Sequence, residues 1–182
     1  MNIFLPYEND IVKSVQSLDD RRLVKQVLET YQLLNNAVKE INGEEIKGYK
    51  NHPIYLHYKD DCRFLSVYGF ACCEEYRYRF YKPHKLAYYF DLGARIANSL
   101  WAYERATKKQ GDYNFGYTPF YMEGSKGQPN YIRTTENVSE LYQRKLCAKW
   151  DSDKAKGRQP KWTDREVPSF YKEWCDNENK SN

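Results

Sequence analysis

A long helical repeat dominates the first quarter of this 182-residue chain. Apolar side chains recur at three- and four-residue steps, which is the spacing of one face of an α-helix. Ser17 stands where a helix N-cap belongs, Asp19 and Asp20 fall in the first turn, and Gly43 suits a helix end. The repeat therefore predicts a helix that begins after Ser17, ends near Gly43 and packs its apolar face into a core. The members of the repeat are Leu23, Val24, Val27, Leu28, Tyr31, Leu34, Val38 and Ile41.

The opposite face of this helix is polar and admits two interpretations. Arg22, Gln26 and Glu29 project to one side, Leu33 is its only apolar member, and Lys25 lies at its margin. The cations can hold phosphates while Glu29 acts as a general acid or base. Alternatively, the face is solvated and laced with pairs such as Lys25 and Glu29. Both interpretations stay open on residue chemistry alone.

The remaining periodicity is also helical. A second helix is expected from Pro53 to about Tyr81, a third over residues 85–109, and a shorter fourth over residues 136–150. Residues 1–16 look like an N-terminal arm with a turn. No alternation long enough for a sheet occurs, so the sequence predicts an all-α fold, a compact single-domain helical bundle.

Two segments have the composition of a nucleic-acid surface. Residues 111–133 are an aromatic loop rich in Gly and Pro, and residues 154–162 carry four basic side chains and no acid. Aromatic rings offer stacking platforms and cations follow phosphates, although a tyrosine-rich loop can equally pack on its own domain. The predicted organisation is a domain over residues 1–175 (core 17–110, aromatic loop 111–133, C-terminal helix and basic segment 134–175) and a disordered tail over residues 176–182.

Composition limits the class of protein. The net charge of +4 is too small to indicate an anionic partner by itself. Apolar runs are only a few residues long and the N-terminus lacks a secretory signal, so a cytosolic protein without membrane contact is expected. The five cysteines match no zinc spacing and are expected to be reduced thiols. Nucleotide-binding loops and zinc-protease motifs are absent, so neither a metal nor a cofactor is expected.

A second polar motif precedes the predicted second helix. Asn51 and His52 follow Gly48 and stand directly before Pro53. They can present hydrogen-bonding groups to an anion at the helix start. They can also simply cap the helix and satisfy its first turn.

Three motifs together resemble one known family. They are the opening Met-Asn-Ile-Phe-Leu-Pro-Tyr, the run Leu18-Asp19-x-x-Arg22-Leu23-x-Lys25-Gln26-x-x-Glu29 and the segment Gly48-x-x-Asn51-His52-Pro53. In this order and spacing they are similar to the pyrimidine-dimer DNA glycosylases (endonuclease V-like), especially the small bacterial and phage members. The resemblance covers residues 1–80 and does not extend to residues 111–182.

The resemblance implies an all-α enzyme that flips a nucleotide out of duplex DNA and cuts its glycosidic bond. In that family an N-terminal α-amine attacks the sugar C1′ to form a Schiff base, and β-elimination can then nick the strand. An α-amine has a pKa near 8, so a useful fraction is neutral at physiological pH. The family's glutamate matches Glu29, which would stabilise the cationic sugar and move protons. The residues implied to bind DNA are Arg21, Arg22, Gln26, Lys50, Asn51 and His52.

Residue 2 departs from the best-known phage enzyme, whose nucleophile is a threonine exposed when the initiator methionine is removed. Here residue 2 is Asn, whose size normally leaves Met1 in place. Three alternatives remain open. The α-amine of Met1 attacks, Lys25 replaces it one turn from Glu29, or the lyase step is absent.

Three classes of function remain in competition. The favoured one is a monomeric DNA glycosylase, with or without AP-lyase activity, that acts on a damaged or modified pyrimidine. The second is a non-catalytic nucleic-acid-binding domain, in which Glu29→Gln should leave function intact. The third is an enzyme acting on a nucleotide or nucleoside, which should show little of the salt dependence of phosphate contacts.

Overall fold

The computed structural model describes residues 2–7, 10–91 and 138–180. Over these ranges the chain is helical and contains no strand, which confirms the predicted all-α class. The helices are α1 (Ile11–Gln16), α2 (Asp20–Ile41), α3 (Pro53–Tyr58), α4 (Cys62–Phe80), α5 (Val138–Lys154) and α6 (Ser169–Lys180). The predicted aromatic loop, residues 111–133, lies outside the described residues.

The face that α2 buries differs from the predicted one. Gln26 and Glu29, on the polar face, are buried. α2 packs against α4 on one side, and the N-terminal arm (residues 2–7) binds it on another. Both neighbours supply hydrogen-bond partners that replace water, so polar side chains can face inward. The exposed members of the apolar repeat are Val24, Leu28, Val38 and Ile41.

The start of α2 is also displaced from its predicted position. Ser17 is not an N-cap; it ends α1, a helix formed by residues 11–16 that the sequence assigned to the arm. The N-cap of α2 is Asp19, whose carboxylate accepts no capping hydrogen bond from the first-turn backbone N–H groups of the helix. Instead, Asp19 accepts a hydrogen bond of 2.8 Å from the Trp150 indole. A long-range contact therefore occupies the group that would otherwise cap the helix.

The predicted second helix is two helices. α3 begins at Pro53, as predicted, but ends at Tyr58. α4 follows a break at which the Asp61 side chain caps the new helix by accepting from a first-turn N–H at 3.0 Å. α4 ends where Tyr81 adopts a left-handed conformation, with φ at 53°.

A close approach fixes the next helix against α4. The predicted third helix, residues 85–109, is described only in its first part, where residues 87–91 are helical. Phe90 is fully buried, and a Cβ atom added at Gly69 would overlap its ring. Glycine at position 69 thus lets the two helices approach.

The C-terminal helices pack around Trp150, which is fully buried. Its ring stacks on Phe170, with centroids 5.9 Å apart, and tilts against Tyr171 at 4.7 Å. α6 includes residues 176–180, which the sequence assigned to a C-terminal tail. The aromatic contacts anchor the first turns of α6, and extending a formed helix is much easier than nucleating one.

The basic segment, residues 154–162, runs from α5 back to the start of α2. The backbone N–H of Asp20 donates to the Lys161 carbonyl at 2.8 Å. The Trp162 indole donates to the Ser17 carbonyl at 2.9 Å. The C-terminal part of the chain is therefore packed on the N-terminal part.

A buried ionic network holds α4 against these segments. Arg79 is 1% exposed and donates to the carbonyl oxygens of Gln16 and Leu18 at 2.9 and 2.7 Å. It also donates to Glu75 at 2.8 Å. Glu75 accepts two further bonds of 2.8 Å from Arg165, one at each carboxylate oxygen. The network joins α4 to the α1–α2 junction and to the segment before α6.

Candidate active site

The first residues of the chain dock on the polar face of α2. The backbone N–H of Asn2 donates to Oε2 of Glu29 at 3.2 Å, and the Asn2 carbonyl accepts from Nε2 of Gln26 at 2.7 Å. The backbone N–H of Phe4 donates to Oε1 of Gln26 at 3.3 Å. Backbone groups of the arm thus satisfy the inward polar side chains of α2.

Gln26 is the hub of these contacts. It is 1% exposed, and its Nε2 also donates to Glu29 at 3.1 Å. The Tyr68 hydroxyl, from α4, lies 2.8 Å from Oε1 of Gln26 and 3.1 Å from the Phe4 carbonyl. Burial raises the pKa of Tyr68 well above its usual value, so this hydroxyl stays a donor. Gln26 therefore fixes the arm, α2 and α4 relative to one another.

The two oxygens of Glu29 face different surroundings. Oε2 accepts from the arm and from Gln26, while Oε1 lies 3.5 Å from Nζ of Lys25. The residue is 8% exposed, whereas the Lys25 side chain is 67% exposed. Met1 lies outside the described residues. Glu29 is thus a nearly buried carboxylate that contacts the start of the chain and has an accessible amine beside it.

α5 lies next to this site and is joined to α2 by ion pairs. Arg22 donates to Asp19 at 3.1 Å and to Asp153 at 2.8 Å, and Arg21 donates to Asp153 at 3.2 Å. The hydrogen bond from Arg22 holds the pKa of Asp153 below its usual range. Arg22 therefore ties α5 to α2, while the Arg21 side chain remains 58% exposed.

Lys149, on α5, is a functional candidate that the sequence did not reveal. The side chain as a whole is exposed, but its amine is partly withdrawn from water. This burial lowers the pKa of Lys149, and the positive charges of Arg22 and Lys25 lower it further, against the opposing charges of Glu29 and Asp153. No local pattern links residue 149 to residue 29, because only the packing of α5 on α2 brings them together.

The side chains of the loop before α3 have different roles. Nδ1 of His52 accepts from the backbone N–H of Ile54 at 3.2 Å, so His52 caps α3. Lys50 and Asn51 are exposed. One of the two alternatives for this motif, helix capping, therefore holds for His52, and Lys50 and Asn51 present their side chains to solvent.

Among the described residues, no group of three or more His, Cys, Asp or Glu side chains is arranged to hold a metal ion. Within the same part of the chain, no helix combines the length and apolar character needed to cross a bilayer. All five cysteines are free thiols, of which Cys72, Cys73 and Cys147 are buried.

These contacts define an all-α protein in which the N-terminal arm closes over a glutamate of the longest described helix. Residues 1–89 match the family model of the pyrimidine dimer DNA glycosylases. The match confirms the family resemblance over this segment, which contains Gln26 and Glu29 but neither α5 nor α6. Comparisons with curated proteins and with solved structures gave no match.

Replacing Gln26 with Met is expected to release the arm. Met has a similar size but neither donates nor accepts the four hydrogen bonds, and each buried polar group left without a partner costs about 1–3 kcal/mol. The free energy of unfolding should fall accordingly, and the Phe4 amide should exchange its hydrogen faster relative to amides in α4. Urea unfolding and hydrogen exchange measure the two effects. Gln32→Met, a half-buried position on the same helix, is the control, and equal behaviour of the two variants would contradict the role of Gln26.

Proposed function

We propose that the chain is a DNA glycosylase that excises a damaged or modified pyrimidine from DNA, with Glu29 as its catalytic carboxylate. The observation that carries the proposal is the hydrogen bond of 3.2 Å from the Asn2 N–H to Glu29. It joins the start of the chain to a buried carboxylate. The family match over residues 1–89 supports the proposal because this segment contains both groups.

The proposed nucleophile is the α-amine of Met1, where Met1 is the first residue of the mature chain. Bond lengths keep this nitrogen within about 4 Å of the Asn2 nitrogen, which itself lies 3.2 Å from Glu29. An α-amine has a pKa of about 8, well below that of an ordinary lysine, so more of it is neutral at pH 7. The amine attacks C1′ of the sugar, and the base leaves as the glycosidic bond breaks.

Glu29 is proposed to act on the sugar. Its charge stabilises the positive charge that develops at C1′, and its oxygens move protons as the imine forms. Lys25 is the alternative nucleophile, because its Nζ lies 3.5 Å from Oε1 of Glu29 and its side chain is largely exposed. With either amine, β-elimination at the imine would add an AP-lyase activity.

The proposed DNA surface follows α2 on both sides of Glu29. Toward the start of the helix, Arg21 is exposed and lines a pocket whose other charged side chains are Arg158 and Lys161 of the basic segment and the carboxylates of Asp19, Asp20 and Asp153. Toward its end, Asn36 donates to the carbonyl of Gly48 at 3.1 Å and so holds the loop that carries the exposed Lys50 and Asn51. The helix rises about 22 Å between residues 21 and 36, or about six to seven base pairs of duplex.

Like Arg21, which donates to Asp153, three other residues of this surface have partners within the protein. Arg22 binds two carboxylates, Gln26 binds the arm, and His52 caps α3. They are proposed to shape the DNA surface and to position its exposed neighbours. The proposed enzyme is a single-domain monomer, and its DNA substrate implies work in the cytoplasm.

The test uses the full chain and three labelled duplexes that carry a thymine dimer, an abasic site or no lesion. Strand breaks after mild alkali report base excision, and borohydride traps any imine for mapping by mass spectrometry. We expect excision at the dimer and a covalent adduct on Met1 or Lys25. Binding should weaken steeply with salt, as expected for phosphate contacts.

Other outcomes separate the competing functions. Excision without an adduct would mean that the enzyme activates water and lacks the lyase step. Binding to all three duplexes without excision or adduct would favour a non-catalytic nucleic-acid-binding domain. Activity on free nucleosides that duplex DNA does not inhibit would replace the proposed substrate.

A further inference from the structure

Contacts at the C-terminal end of α5 set its register on α2. The Trp150 indole donates to Asp19 at 2.8 Å, and Asp153 accepts from Arg22 at 2.8 Å. Lys149 precedes Trp150 and lies one turn, about 6 Å along the helix, before Asp153. Residues four apart share a helix face, so Lys149 points toward α2 beside the level of Arg22.

Contacts at the N-terminal end of α5 show on which side of Arg22, along α2, Lys149 lies. The Tyr142 ring packs edge-on against Phe4, with centroids 6.1 Å apart, and Gln143 donates to the carbonyl of Pro6 at 2.9 Å. Phe4 in turn binds Gln26, one turn along α2 from Arg22. Residues that come earlier in α5 therefore lie beside residues that come later in α2. Since Lys149 precedes Asp153 in α5, it lies beyond Arg22 along α2, in the part of α2 that carries the site.

The charges around Lys149 agree with this register. Arg22, Lys25 and Glu29 of α2 and Asp153 of α5 are the charged groups that act on it. Asp153 is already held by Arg22 and by other guanidinium groups. Since partial burial and the two α2 cations lower the pKa of Lys149, more of its amine is neutral than in an ordinary lysine.

We propose that Lys149 is a further amine of the site, which condenses with the aldehyde of an abasic nucleotide and gives the protein an AP-lyase activity independent of its N-terminus. This inference rests on the proposed function in one respect, that DNA occupies the site of Glu29. It adds a catalytic group from α5, outside the segment that matches the family.

The step balances without an oxidant or a reductant. The neutral Nζ attacks C1′ of the ring-opened sugar, and the adduct takes up a proton at its hydroxyl and loses water to give an iminium ion. A base removes a proton from C2′, the electron pair forms the C2′–C3′ double bond, and the C3′–O bond breaks with the phosphate as leaving group. Water then releases the unsaturated aldehyde and restores the Lys149 amine.

Borohydride trapping on an abasic duplex tests the proposal after the α-amine has been converted to a ketone by transamination. Wild-type protein treated in this way should still give an adduct, mapped to Lys149. Lys149→Arg should reduce it by about tenfold or more, because a guanidinium keeps its charge but stays protonated and forms no imine. DNA binding by Lys149→Arg should stay close to that of the wild type.

Lys145→Arg is the matched control, since Lys145 is exposed one turn earlier on α5 and lies over the Tyr142 ring. It should trap as the wild type does. No adduct after transamination, an adduct on another residue, or an unchanged adduct in Lys149→Arg would overturn the proposal. Dimer excision by untreated protein is measured in parallel. Trapping at Lys149 without excision would contradict the proposed glycosylase alone, whereas excision without trapping at Lys149 would contradict this inference alone.

Discussion

Glu29→Gln should lower the rate of dimer excision by roughly 100- to 10,000-fold, the contribution of a positioned acid–base group. The amide oxygen of glutamine can still accept from the Asn2 N–H and from Gln26, so the arm should stay docked. The substitution removes the negative charge beside C1′ and the carboxylate that transfers the proton. Single-turnover excision measures the loss, and equilibrium binding to the same duplex should stay close to the wild-type value.

Glu44→Gln is the control for this substitution. Glu44 is an exposed carboxylate just beyond the end of α2, where it accepts from the Asn42 side chain. The control should excise as the wild type does. Full activity of Glu29→Gln would exclude Glu29 as the catalytic carboxylate. Loss of folding by circular dichroism, together with loss of binding, would assign Glu29 a structural role instead.

The helical class of the fold could be predicted because it depends on local spacing. Pro53 begins a helix as expected, and α2 ends at Ile41, two residues before Gly43, since capping and periodicity act within a few residues. The start of α2 could not be predicted in the same way. Asp19 replaces Ser17 there, and its carboxylate binds Trp150, which is 131 residues away in the chain.

The orientation of α2 also depended on contacts that no local pattern contains. Gln26 and Glu29 face inward because the backbone of the arm and the Tyr68 hydroxyl satisfy their polar atoms. Leu28 is exposed although it belongs to the apolar repeat. The motifs identified Glu29 as a candidate, but its burial and the nearness of Lys149 follow only from tertiary packing.

The ionic network around Glu75 makes the stability of the fold depend on pH. Burial tends to raise the pKa of Glu75, but hydrogen bonds from Arg165 and Arg79 outweigh it and hold the pKa below its usual range. The unfolded chain therefore binds this proton at higher pH than the folded chain does. The stabilisation is complete above the ordinary glutamate pKa of about 4.3 and is lost as the pH falls through the lower pKa of the folded state.

Arg79→Met is expected to lower the free energy of unfolding by about 3–5 kcal/mol, the usual cost of removing one partner of a buried ion pair. It leaves the Gln16 and Leu18 carbonyls without their donor and weakens the hold on Glu75. Urea unfolding at neutral pH measures the loss, which should shrink as the pH falls through the lowered pKa of Glu75 and this carboxylate takes up its proton. Arg77→Met, two residues away on α4, removes an exposed ion pair and should unfold close to the wild type. Equal stability of the two variants would mean that the buried network does not hold α4 in place.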